Sequence, residues 1–124
     1  MKFVTAINCM DGRVQLPAIE WMKRKYNAEY VDMITEPGPI KILDENENTC
    51  LIESIKNRID VSVNKHLSKV IAIIGHYDCT GNPVEKDIQI KQIKSSIKLV
   101  SSWNFNTDII GLWIDENWEA SIVE

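Results

Sequence analysis

The sequence predicts a single α/β domain over residues 1–124, in three layers, with a mainly parallel four-stranded sheet ordered 2-1-3-4 and helices on both faces. Three observations carry this expectation. The run Val70-Ile71-Ala72-Ile73-Ile74 contains no polar residue and is rich in β-branched side chains, as in a central strand covered on both faces. Strand-like and helix-like segments alternate as βαβαβαβ, a succession that requires right-handed crossovers between parallel strands. The length of 124 residues suits one hydrophobic core and not two.

Each element follows from local chemistry. The first strand covers Lys2 to Asn8 and runs into the loop Cys9-Met10-Asp11-Gly12-Arg13. Pro17 suits the first turn of a helix, and Ile19, Met22 and Tyr26 recur at helical spacing up to an end near Asn27. Glu29 to Thr35 reads as the second strand, with Tyr30 or Val31 turned inward. Glu36-Pro37-Gly38-Pro39 ends it, because two prolines and a glycine cannot continue a ladder. Asp44 to Asn48 reads as a polar loop, after which Asn48 or Thr49 caps a long helix. Its apolar stripe, Ile52, Ile55, Ile59 and Val63, carries it to about His66. The third strand is Val70 to Gly75. Beyond the turn Thr80-Gly81-Asn82-Pro83, Ile90, Ile93, Ile97 and Val100 mark another amphipathic helix, and Asp108 to Ile114 forms the fourth strand. Trp118 falls in the tail that ends at Glu124.

A net charge of −4 argues against a nucleic-acid partner or an anionic membrane surface, since both favour basic patches. No run approaches the roughly 18 apolar residues of a membrane span. Residues 1–8 lack the pattern of a signal peptide, so the expected location is cytoplasmic. In a reducing compartment Cys9, Cys50 and Cys79 read as thiols or metal ligands and not as a disulfide framework. No glycine-rich phosphate loop occurs, and Cys9 to Arg13 is too short to wrap a phosphate in backbone amides.

The order 2-1-3-4 makes the first and third strands neighbours, with the topological switch point between them. Cys9 leaves one of these strands and His76-x-x-Cys79 leaves the other, so the three residues meet at one end of the sheet. Two thiolates and an imidazole suit zinc, and three protein ligands leave a fourth position open, the catalytic pattern. Each signal is weak alone, because a cysteine after a strand is commonly a small core residue. Their joint placement favours a metal.

Asp11 and Arg13 follow Cys9 on a loop that Gly12 lets bend. As a surface ion pair they contribute little. Beside a metal, the carboxylate can accept the proton of a bound water, oriented by the guanidinium, or swing in as the fourth ligand. Gly75, next to His76, reads as room for a close backbone approach. Asp78 reads as a solvent-facing loop residue, His66 as a solvated helix end, and Cys50 as packed beside the stripe of its helix. Trp21, Trp103, Trp113 and Trp118 read as core or interface.

Cys9-x-Asp11-x-Arg13 followed by His76-x-x-Cys79 resembles the zinc signature of the β-class carbonic anhydrases, and the likeness extends to the element order and so to most of the chain. The resemblance implies Zn2+ on Cys9, His76 and Cys79, with Asp11 and Arg13 as a catalytic dyad beside it. It also implies reversible hydration of carbon dioxide to bicarbonate, in a homodimer or higher homo-oligomer. Trp113 and Trp118 would supply apolar area for that contact. Departures are visible. Gly12 stands where the family usually has serine, Thr80 where it has glycine, and Thr35-Glu36-Pro37-Gly38 replaces Arg-Asn-Ala-Gly. The family's helical arm ahead of the first strand has no counterpart before Lys2. Two alternatives use the same residues: hydrolysis of carbon disulfide or carbonyl sulfide, and a non-catalytic zinc domain with Asp11 as permanent fourth ligand.

Overall fold

Alternating apolar residues decide which face of the sheet each side chain joins, and a computed structural model describing residues 2–124 shows the result. The strands are β1 (Phe3–Cys9), β2 (Tyr30–Glu36), β3 (Val70–His76), β4 (Asp108–Ile114) and β5 (Ala120–Val123). The helices are α1 (Gln15–Tyr26), α2 (Pro39–Glu45), α3 (Thr49–Asp60) and α4 (Lys86–Ser101). The sheet order is β2-β1-β3-β4-β5. All pairings are parallel except β4 with β5. The expected order of the four parallel strands is therefore found, and β5 extends it by an antiparallel edge strand.

Two cores lie on opposite faces. Val4, Ala6, Val70, Ala72, Ile74, Leu112 and Ile114 pack toward Val14 and toward Ala18 and Met22 of α1. Ile7, Ile34, Ile71 and Ile73 pack toward α2, α3 and α4, meeting Ile40, Leu43, Ile55, Ile59, Ile93 and Val100. Successive residues of β3 thus go to different cores, which is why its sequence carries no polar alternation. One face is covered by a single helix and the other by three.

The structure meets the sequence reading at some places, as with the Asn48 cap, the run to His66 and the inward Val31, and differs from it at others. Pro39 begins α2, because proline fits the first helical position and Gly38 ahead of it adopts a left-handed φ of 61°. Asn48 caps α3 by accepting the Leu51 N–H at 3.1 Å, and the chain continues through a π turn, Val61–Lys65, to His66. Cys50 is exposed, not packed, because it lies two residues before Ile52 and so about 200° around the helix from the stripe. His66 is not simply solvated: its ring stacks on Phe3 at 4.4 Å and its Nδ1 lies 2.7 Å from Asp32 Oδ2. Val31 turns toward the α1-side core while Tyr30 is exposed. Trp113 is buried within its own chain and is not available to a partner. Among the described residues, no helix is long and apolar enough to cross a membrane.

Candidate metal centre

Parallel pairing of β1 with β3, with Ala6 opposite Ala72, aligns the C-terminal ends of the two strands. Cys9 ends β1, His76 ends β3, and Cys79 follows in the turn. All three are buried. The two sulfurs lie 3.8 Å apart, and the ligand atoms of Cys9, His76 and Cys79 fall within 4.8 Å of one another. The residues expected to meet do meet.

His76 is oriented for coordination. Its Nδ1 lies 2.7 Å from the Tyr77 carbonyl, which can only accept, so Nδ1 carries the proton of the neutral ring. The lone pair is then on Nε2, which is buried and has no hydrogen-bond partner. Leaving a buried acceptor unpaired costs about 1–3 kcal/mol. A cation shared with the two sulfurs would satisfy it, and a second-neighbour carbonyl fixing the tautomer is usual for a metal-binding histidine. The donor set fits a soft, tetrahedral ion of the zinc type.

The electrostatics of the two thiols point the same way. The hydrogen bond with Cys79 lowers the pKa of Cys9 against the cost of burial, helped by the backbone N–H groups of Gly38 and Asp11. The same bond, followed by burial, raises Cys79. Two adjacent buried thiols thus hold one proton between them, and a bound cation would displace it. Burial lowers His76, but the neighbouring Cys9 sulfur and the Tyr77 carbonyl outweigh it, and the net shift is upward.

The loops need glycine to come this close. A Cβ on Gly81 would lie 2.6 Å from the Pro37 carbonyl carbon, and one on Gly38 would lie 2.9 Å from Gly81 backbone. Gly81, one position after Thr80, is therefore the glycine this close approach requires. Gly75 makes room as expected: a Cβ there would meet Gln89 Oε1 at 2.9 Å.

Several supporting residues were not singled out from the sequence. Gln89 accepts the His76 N–H at 3.1 Å and donates to the His76 carbonyl at 2.8 Å, so its amide clamps the ligand's backbone on both sides. Its signal was present: Gln89 falls in the buried stripe of α4 with Ile93, Ser96 and Val100, a polar residue at a core position. Gln15 Nε2 donates to the carbonyls of Cys9 and Asp11, each at 2.7 Å, and shapes the first loop. Buried Asn8 completes that loop by donating to the Val14 carbonyl at 3.1 Å.

Asp11 and Arg13 form a fork-to-fork pair. Arg13 Nη2 lies 2.7 Å and Nε 3.2 Å from Asp11 Oδ2, with Nε also 3.1 Å from Oδ1. That bonding lowers the Asp11 pKa to about 2, against the opposing effect of burial. Asp11 stands outside the three-residue cluster, its oxygens directed to Arg13. Asp78 is exposed as expected but is not free: Arg13 reaches its carboxylate at 3.2 Å and its carbonyl at 3.0 Å. Beside Cys79 opens a cavity of about 460 Å³, lined also by Asp78, Thr80, Pro83, Val84 and Glu85.

The whole sequence, residues 1–124, matches the family model described as "Putative carbonic anhydrase". Among solved structures the chain is similar to the carbonic anhydrase from Glaciozyma antarctica, with a TM-score of 0.58 and 13% identity over 97% of this chain and 81% of that one. At that identity the likeness shows the fold. No curated protein matches the sequence. Matched along its full length and folded in the same way, the chain belongs to this carbonic anhydrase family.

Proposed function

We propose that the protein is a zinc-dependent enzyme for the reversible hydration of carbon dioxide to bicarbonate, with Cys9 Sγ, His76 Nε2 and Cys79 Sγ holding Zn2+. The observation that carries this reading is the orphaned Nε2, buried and aimed at two thiols. An ion held by these three residues would supply Lewis-acid chemistry, bringing the pKa of a coordinated water down toward neutrality.

The remaining work falls to the chain. Tyr77 holds the imidazole in the liganding tautomer. Asp11, ionised at any ordinary pH, accepts a hydrogen bond from the reacting water and turns a lone pair toward the substrate. Arg13 keeps that carboxylate in place and outside the ligand cluster, which favours an open site over one closed by Asp11. Carbon dioxide is small and linear, and the cavity beside Cys79 has ample volume for it.

Metal analysis and stopped-flow hydration on one preparation test the reading. The expected result is about one zinc per chain with hydration well above background, and Cys79→Ser should lose both, because two ligands hold zinc poorly against water. Full zinc content in Cys79→Ser would overturn the ligand set. A zinc-replete wild-type chain with only background hydration would overturn the activity.

A further inference from the structure

Three separate segments converge on one guanidinium. Arg13 lies on the loop after β1, Asp78 on the turn after β3, and Trp118 on the turn between β4 and β5. The Arg13 Cζ sits 4.6 Å from the centroid of the Trp118 ring. Four of the five guanidinium N–H groups are used: Nε and one Nη2 hydrogen on Asp11, the other Nη2 hydrogen on the Asp78 carbonyl, and one Nη1 hydrogen on the Asp78 carboxylate. We propose that Asp78 and Trp118 are positioning residues that lock Arg13, and through it set the direction of the Asp11 carboxylate at the metal centre. This inference rests on the functional reading above.

An exposed arginine needs such help. Its side chain is 43% exposed, and an ion pair at that exposure contributes little and leaves the side chain many rotamers. A flat aromatic face on one side and a second acid on the other remove that freedom, and the stacking itself adds attraction. Trp118 is held in place at a backbone cost. Its φ of 60° is left-handed, an uncommon state for a bulky residue. The turn that imposes it is tied by the Trp118 N–H to the Asp115 carbonyl at 2.9 Å, and by the Asp115 carboxylate, which accepts from Asn117 and Glu119. Asp78 is likewise left-handed at φ 57°, and both its carbonyl and its carboxylate reach Arg13. Strain of this kind persists where the surroundings over-determine it, commonly at functional sites.

The test uses the full chain with Trp118→Leu, Trp118→Phe and Asp78→Asn, and Trp103→Leu as control, since Trp103 meets Lys56 and Phe105 and not Arg13. The first readout is the Arg13 Nε–H resonance in nitrogen-15 spectra of the metal-free protein, assigned by its absence in Arg13→Lys. It should be sharp and slow to exchange in wild type, Trp118→Phe and Trp103→Leu, and lost to exchange in Trp118→Leu and Asp78→Asn. The second is zinc content with a kcat and KM split. In Trp118→Leu and Asp78→Asn, kcat should fall about tenfold at unchanged KM and wild-type zinc, and Trp118→Phe should recover most of the loss. An unchanged Arg13 signal in both loosening variants would refute the lock whatever the activity. A mobile Arg13 with full kcat would refute its role in catalysis. A mobile Arg13 in a chain whose wild type shows no catalysed hydration would leave the lock standing and remove the functional reading instead.

Discussion

At the scale of single residues, the Asp11 carboxylate is built to stay ionised and to accept. Replacing it with asparagine keeps the shape but weakens the acceptor, and we expect a loss of about 10²-fold in kcat/KM with zinc retained, the scale of a positioned proton acceptor. Stopped-flow rates between pH 6 and 9 check this. The same group contributes to acid stability. Its pKa is depressed from 3.8 to about 2 in the folded chain, chiefly by the bond to Arg13. Its stabilisation is thus complete above 3.8 and is lost as pH falls toward about 2. Acid unfolding monitored by circular dichroism should therefore be less steep in that window for Asp11→Asn. Cys9, Asp11, Arg13, His76 and Cys79 were legible because their chemistry is uncommon and each sits at or just past a strand end. The contacts of Asp78 and Trp118 with Arg13 were not, since they join segments about 65 and 105 residues apart by tertiary geometry alone.

Among the elements, the β3–α4 unit carries most of the site's precision. The Gln89 amide satisfies both backbone groups of His76, so Gln89→Leu leaves a buried N–H and C=O unpaired and frees the ligand to shift. Zinc affinity should drop by about 10- to 100-fold, measured by chelator competition. Gly75→Ala should act in the same direction by displacing the Gln89 oxygen. Cys50→Ser, on an exposed position of α3, should leave metal content unchanged. The long strands and helices were readable from period alone. The α2 helix was not, because Pro37-Gly38-Pro39 looks like a stop although Pro39 is also a permitted start. The β5 strand was not, because its four residues are half-buried or exposed and owe their form to β4.

For the whole molecule, the asymmetry between faces and the open edges bear on assembly. β2 and β5 lie at the sheet's two edges, and apolar Met10 and Leu16 are exposed on the segment that leads from Cys9 into α1. We expect association into a homodimer or higher oligomer through this site-bearing side, with Trp113 playing no part because it is buried. Light scattering at tens of micromolar should give at least twice 14.2 kDa, and a species of 14.2 kDa alone would exclude it. The layered architecture was legible because the strand order follows from crossover handedness and from the need to cover both faces. The mating surface was not, since it depends on which apolar residues the folded chain leaves outside.

Cys9 and Cys79 stand 70 positions apart along the chain yet almost touch. An ion gripping both would be a clasp across more than half the polypeptide. By the loop-closure relation for cross-links, fastening that span removes about 4 kcal/mol of disorder from the unfolded chain, over and above the strength of the bonds themselves. A chelator would then do more than silence a catalyst. It would unfasten the clasp and lower the melting temperature of the whole chain at once.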